Sequence, residues 1–191
     1  MNQKVKVPAS EIERLHAMTS YERNLFAAGV QYIAGIDEAG RGPIAGPVVA
    51  AAVILPRDFF VPEVDDSKRL KPSLRKKLSL AIKRQALDWS IGIVSVSCLD
   101  QINIYQATKL AMITAFNNLR LRAEHLIIDA VKLPELSIPQ TSLIKGDSLS
   151  LTVACASILA KVERDEIMEG YDKLFPGYGF AKHKGYATRE H

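Results

Sequence analysis

The segment "QYIAGIDEAGRGPIAGPVVAAAVIL", residues 31–55, narrows the possible folds more than any other part of the chain. Two apolar runs flank a turn that contains Gly40, Gly42, Pro43, Gly46 and Pro47, so the chain has to reverse direction there. "QYIAGID" reads as one strand and "GPVVAAAVIL" as a second, its antiparallel neighbour. The alanines at 50–52 leave room for other elements to pack closely on it. The longest uncharged run, Gly42 to Pro56, is interrupted by proline and glycine and falls short of the roughly 20 apolar residues a membrane helix needs.

Further elements follow from the same kind of reading. Ser10 to Glu13 and Thr19 to Glu22 both have capping-box spacing, which predicts two short helices ahead of the first strand, with Gly29 as a stop. Pro72 suits the first turn of a helix over "PSLRKKLSLAIKRQAL". "DWSIGIVSVS" alternates apolar and polar residues as a third strand does. Residues 104–122 read as a helix, "EHLIIDA" as a buried strand, and "TSLIKGD" as a short strand leading to a long helix from Ser148 to about Gly170. Strands and helices in this order predict a mixed α/β sheet flanked by helices.

Length and composition set the surroundings. At 191 residues, 48% of them apolar, the chain can bury one sizeable core. Two cysteines, Cys98 and Cys155, and no signal-peptide pattern in "MNQKVKVPAS" argue against a disulfide scaffold and for a reducing cytoplasm. The formal charge of +4 is compatible with a polyanionic partner and does not require one.

Four acids carry the candidate chemistry. Asp37 and Glu38 end the first strand; successive strand side chains point to opposite faces, so the two share a site only if the strand ends or bends there. Taken alone they also read as solvated turn residues. Asp129 ends "LIID" and would lie at the carboxyl edge of the sheet, where open α/β sheets place ligands. Asp147, just before a long helix, reads on its own as an N-cap. Gathered together, the four could hold two hard divalent cations in the arrangement suited to in-line phosphoryl displacement.

The pieces "GIDEAGRGPIAGPVVAAAVIL", "DDSKRL", "LIIDA", "LIKGDSLSLTVACASILAKVERD" and "FAKHKGYAT" occur in an order that resembles the bacterial ribonuclease HII family, the type 2 ribonucleases H, from about Tyr32 to Thr188. The resemblance implies a ribonuclease H-like mixed β-sheet flanked by helices, over residues 31–191, preceded by a helical extension over 1–30. It implies an endonuclease for the RNA strand of RNA/DNA hybrids and for single ribonucleotides in duplex DNA, working as a cytoplasmic monomer with no membrane partner. Asp37, Glu38, Asp129 and Asp147 fall on the family's catalytic and metal positions for Mg²⁺ or Mn²⁺, two ions during catalysis. Gly40, Arg41 and Gly42 fall on positions that read the ribose 2'-hydroxyl. Ser67 and Lys68 correspond to phosphate contacts. His183, Lys184 and Tyr186 suit a nucleic-acid groove with a stacking ring.

Two departures accompany the match. Family members commonly carry "AAASI" where this chain has "ACASI", and Cys155 reads as a small replacement packed in the helix. They also commonly continue beyond the position of His191 through a further basic segment. Two other functions stay open on the residues alone. A strand bearing Asp before a glycine turn also begins sugar kinases and actin-like ATPases, although no second glycine-rich phosphate loop is present. A noncatalytic hybrid-binding module would use the basic charge but leave the four acids without a purpose.

Overall fold

The computed structural model describes residues 7–191. A five-stranded sheet comprises β1 (Ile33–Ala39), β2 (Val48–Ile54), β3 (Asp88–Val94), β4 (His125–Asp129) and β5 (Gln140–Leu143), in the order β3-β2-β1-β4-β5. β1 and β2 are antiparallel, as their short turn dictates, and so are β2 and β3. β4 lies parallel to β1, and β5 parallel to β4. The carboxyl ends of β1, β4 and β5 therefore share one edge.

Strand alternation divides the core into two layers. Ala51 and Val53 face one side, packed with Leu15 and Met18 from α1 (Ala9–Met18), Leu78 and Ile82 from α3 (Pro72–Gln85) and the apolar face of α6 (Leu151–Leu174). Ala34, Ile36, Ala50 and Ala52 face the other side, against α4 (Val96–Asn117). Every residue of β2 is buried. Both helices come close enough to exclude a side chain. A Cβ on Gly35 would lie 2.5 Å from the Thr152 carbonyl carbon of α6, and one on Gly92 would lie 2.1 Å from the Ala111 oxygen of α4. Cys155 is fully buried in α6, in keeping with its reading as a small core residue. Among the described residues no helix is long and apolar enough to cross a membrane.

Several helix boundaries differ from expectation. α1 starts at Ala9 after Pro8, with no side-chain cap, so Ser10 does not cap it. Thr19 precedes α2 (Ser20–Ala27), but its hydroxyl donates back to the His16 carbonyl. Its supposed capping partner, Glu22, is buried instead and accepts from the Ser150 hydroxyl at 2.6 Å and the Thr152 N–H at 3.0 Å. Glu22 thus caps α6 from a distant part of the chain.

The long helix expected from Ser148 is also broken. Ser150 is extended (φ −125°, ψ 125°) and caps α6, leaving residues of α5 (Gly146–Leu149) as a separate single turn. The helix expected over 104–122 is α4, which starts earlier, breaks at Asn103 (φ 67°, ψ 165°) and stops at Asn117. The Asn103 side chain accepts the N–H groups of Tyr105 and Gln106, so it restarts the helix. Beyond Asn117, Asp88 takes the N–H groups of Arg120 and Leu121 and draws the chain toward β3.

Candidate active site

All four acids come from the shared carboxyl edge. Asp37 and Glu38 lie within β1, paired with Ala51 and Ala50, and the strand continues through Ala39. The strand ends one residue beyond the pair rather than bending between them, one of the two arrangements the sequence allows. Alternation sends Asp37 toward α6 and Glu38 toward the opposite face, and what unites them is the strand end itself. Asp129 ends the neighbouring parallel strand, and its carboxylate accepts the Gly146 N–H at 2.6 Å. This bond secures the turn of α5, which carries Asp147. Asp147 is inside α5 and buried, so it is not the N-cap of the long helix.

The electrostatics show four acids in mutual tension. Burial, then the charge of Glu38, pushes the Asp37 carboxyl well above its usual range, and Asp129 adds to the effect. The Ser157 hydroxyl and the Glu38 N–H, 2.8 Å from Asp37 Oδ1, oppose the shift. Burial also raises Glu38, opposed first by Arg41, whose guanidinium donates to Glu38 Oε1 at 3.2 Å. Asp147 is pushed up to about 6 by burial and then by Asp66 and Asp129, against the pull of Lys68. Burial works against the charge on Lys68, yet the carboxylates facing it outweigh that and raise its pKa. Its ammonium stands 3.8 Å from Asp147 Oδ2, on a side chain 75% exposed.

A divalent cation fits this donor set in kind. The ligands are all oxygen, as hard cations prefer, and Glu38 Oε2 is buried with no hydrogen-bond partner. Among the described residues, no three acidic, histidine or cysteine side chains converge closely enough to grip one ion as they stand. The acids are partnered by Arg41, Lys68 and nearby N–H groups.

Asp147 supplies a test of that tension. Its carboxyl titrates near 3.8 when unperturbed and about 6 in the fold. Over that interval the metal-free native state holds more protons than the unfolded chain, so stability present at low pH is lost as pH rises through the folded value. In EDTA near neutral pH, Asp147→Asn should unfold at a higher urea concentration than the parent. It should also lose less stability between about pH 4 and pH 7. A midpoint at or below the parent's would show that the buried charge is not destabilising.

The remaining sequence candidates divide into two sets. Gly40, Arg41 and Gly42 continue directly from the acids, and a Cβ on Gly42 would lie 3.7 Å from the ring of Tyr186, which is 42% exposed. Lys68 stands at the acids, as above. By contrast, Ser67 is buried, and its hydroxyl lies 2.9 Å from that of Ser157, the residue that also reaches Asp37. His183 is buried too, with Nε2 donating to the Tyr178 carbonyl at 2.6 Å and Nδ1 accepting from the Gly185 N–H. Lys184 donates to Glu169 at 2.8 Å. The side chains of Ser67 and His183 thus turn inward to satisfy buried polar groups, and Lys184 is held by a carboxylate, rather than any of the three standing open at the edge.

Residues passed over in the sequence organise this edge. Ser157, Lys161, Arg164 and Asp165 line α6 at helical spacing and bind the loops around the acids. Asp165 takes Lys161 at 2.6 Å and Arg75 at 3.3 Å, while Arg75 donates to the Ser67 and Leu70 carbonyls at 2.7 Å each. Their spacing of three and four along α6 was the available signal. A cavity of about 260 Å³ lined by α1, α2 and residues 55–60 contains none of the four acids. At the sheet edge Asp37 and Asp147 are buried, and Glu38 and Asp129 are half-buried.

The family described as Ribonuclease HII matches residues 34–191. The Ribonuclease HII of Syntrophomonas wolfei is 58% identical over 188 residues, covering 98% of this chain and 74% of that protein. Among solved structures, ribonuclease H2 from Pyrococcus horikoshii superposes with a TM-score of 0.70 at 27% identity, over 83% of this chain and 82% of that one. Bst-RNase HIII, solved in complex with Mn²⁺, has a TM-score of 0.57 at 20% identity, over 91% of this chain and 61% of that one, a likeness of fold alone. The fold is thus ribonuclease H-like. With the match taking in all four acids and a close relative spanning nearly the whole sequence, the chain belongs to the ribonuclease HII family, metal-dependent endonucleases that hydrolyse the RNA strand of RNA/DNA hybrids.

Proposed function

We propose that this chain also cuts on the 5' side of a single ribonucleotide embedded in duplex DNA, leaving 5'-phosphate and 3'-hydroxyl ends. The observation that carries this reading is the approach of the Tyr186 ring to the glycine turn, 3.7 Å from where a Cβ on Gly42 would lie, in the turn that follows Asp37 and Glu38. A surface able to sense one 2'-hydroxyl and stack on the next sugar-base unit lies next to the groups for hydrolysis.

Asp37, Glu38, Asp129 and Asp147 would hold Mg²⁺ or Mn²⁺, two ions during catalysis. When bound, such ions supply an acidified water and neutralise charge on the attacked phosphate and the departing oxygen. Arg41 then exchanges Glu38 for the substrate backbone, and the backbone groups of Gly40 and Gly42 approach the ribose. The 2'-hydroxyl serves recognition and not attack, so no cyclic phosphate forms. Ser67, His183 and Lys184 contribute to the substrate surface by fixing their loops, with Lys68 and Tyr186 making direct contacts. The partners are hybrid and ribonucleotide-containing duplexes, met by a cytoplasmic monomer whose catalytic domain spans 31–191 after a helical extension expected over 1–30, of which residues 1–6 lie outside the described residues.

The direct test is an end-labelled duplex with one ribonucleotide, incubated with Mg²⁺ or with EDTA. Metal-dependent incision 5' of the ribonucleotide is expected, with an all-DNA duplex left intact. Binding without incision, or ATP turnover in its place, would overturn the proposal. The phosphate contact has its own test. Lys68→Ala should lower hybrid affinity and reduce the slope of log K against log salt by about 0.9, the loss of one phosphate neutralised. An unchanged slope would mean that Lys68 serves only Asp147.

A further inference from the structure

Arg164 is the largest fully buried side chain of the protein, 1% exposed, and the reaction as described does not use it. Its guanidinium donates three hydrogen bonds, from Nε to the Pro47 carbonyl at 3.0 Å, from Nη2 to the Ala45 carbonyl at 2.8 Å and from Nη1 to the Lys184 carbonyl at 2.9 Å. All three acceptors are main-chain oxygens. Two belong to the turn that follows Gly40–Gly42, and the third adjoins Tyr186. The neighbouring carboxylate, Asp165, is engaged with Lys161 and Arg75. Burial lowers the Arg164 pKa, a sign of how poorly solvated this cation is. A desolvated charge whose hydrogen bonds all go to carbonyls, with Asp165 and Tyr186 acting on it only through their charges, is costly, and a core position would be served more simply by an apolar residue.

The two loops also bond to each other. The N–H groups of Ile44 and Ala45 both donate to the Gly185 carbonyl, at 2.9 and 3.3 Å. Gly185 has φ +84°, and a Cβ there would lie 2.2 Å from the Ala45 oxygen. The seam therefore has one spacing, set by a planar fork and by main chain packed against main chain. Tyr186 emerges from this seam, with the Lys161 ammonium 5.5 Å from its ring centre.

We propose that Arg164 is a positioning residue for junction recognition, holding the Gly40–Gly42 turn and Tyr186 at the separation between a ribose and the next deoxyribonucleotide. The inference rests on the reading of those two groups given above. Lysine cannot reproduce the function, because a single ammonium has no rigid fork with which to span carbonyls of two loops. The discrimination follows from register. A lone ribonucleotide offers one 2'-hydroxyl and one productive placement, whereas continuous RNA offers many, so a loosened seam harms the first substrate more.

Two variants probe the seam independently, Arg164→Lys from the α6 side and Gly185→Ala from the loop side. Each is compared with wild type on a one-ribonucleotide duplex and on a continuous RNA/DNA hybrid, at the same salt and Mg²⁺, with kcat and KM separated. Misplacement on the scale of 1 Å costs up to about 10²-fold, so a fall of about 10- to 100-fold is expected at the single ribonucleotide, mainly in kcat. The continuous hybrid should lose about threefold or less by the register argument, since alternative placements remain. Adding Arg164→Lys to Tyr186→Ala should cost little more than Tyr186→Ala alone, because both act on one contact. Equal losses on the two substrates in both variants, or full additivity with Tyr186→Ala, would overturn the inference and leave Arg164 with a purely structural duty. Failure of wild type to incise the single ribonucleotide would instead overturn the proposed function, and this inference with it.

Discussion

Asp37→Asn should reduce cleavage of an RNA/DNA hybrid by about 10³-fold or more while leaving much of the binding intact. Asp37 is buried at the end of β1, and burial, then the charges of Glu38 and Asp129, raise its pKa. Asparagine keeps the shape and can still accept the Glu38 N–H that now bonds Oδ1. It removes the negative charge that a divalent cation needs, and loss of several kcal/mol of transition-state stabilisation corresponds to thousandfold effects. Binding depends on cations elsewhere, including Lys68 with its side chain 75% exposed, so salt-dependent affinity should persist. Single-turnover cleavage and hybrid binding measured on the same purified variant separate the two effects. Cleavage at the wild-type rate would remove Asp37 from the metal site. The variant should also be no less stable in EDTA, since a repelling charge has gone from the buried edge.

Tyr186→Ala should slow incision at a single ribonucleotide by roughly five- to 150-fold, with Tyr186→Phe close to wild type. Base or sugar stacking on an aromatic ring is worth about 1 to 3 kcal/mol, and the phenylalanine ring retains it. The ring is 42% exposed and borders Gly42, so it is open to a stacking partner. Matched duplexes carrying one ribonucleotide or a continuous RNA strand, under the same salt and metal, give the comparison. Equal rates for Ala, Phe and wild type on the first duplex would reduce Tyr186 to a loop residue. A loss shared by Ala and Phe would shift the role from the ring to the hydroxyl.

Much of this architecture is legible along the chain because the interactions that specify it are local. The Gly/Pro turn between two apolar runs forces the β1–β2 reversal, and Pro72 marks the start of α3. Alternating apolar residues identify β3, and "LIID" delivers Asp129 to a strand end. Ordered motifs identify the family, which the match over residues 34–191 bears out. The local signals that failed were those with two physical solutions. A glutamate three residues after threonine can cap its own helix, yet Glu22 turns inward to cap α6. An aspartate ahead of a long helix can cap it, yet Ser150 holds that position and Asp147 is left facing Lys68.

The sequence by itself determined the order of elements, the types of chemical group available and the family to which they belong, since each depends on neighbours along the chain. Only the tertiary structure decided that β4 lies parallel beside β1, which brings Asp129 to the same edge as Asp37 and Glu38. It alone turned Ser67 and His183 inward and placed Arg164 under the seam between the glycine turn and Tyr186. The physical reason is that a polar side chain has many partners within reach in an extended chain. Its choice is made when packing removes water from all but one of them, and that packing joins residues more than a hundred positions apart.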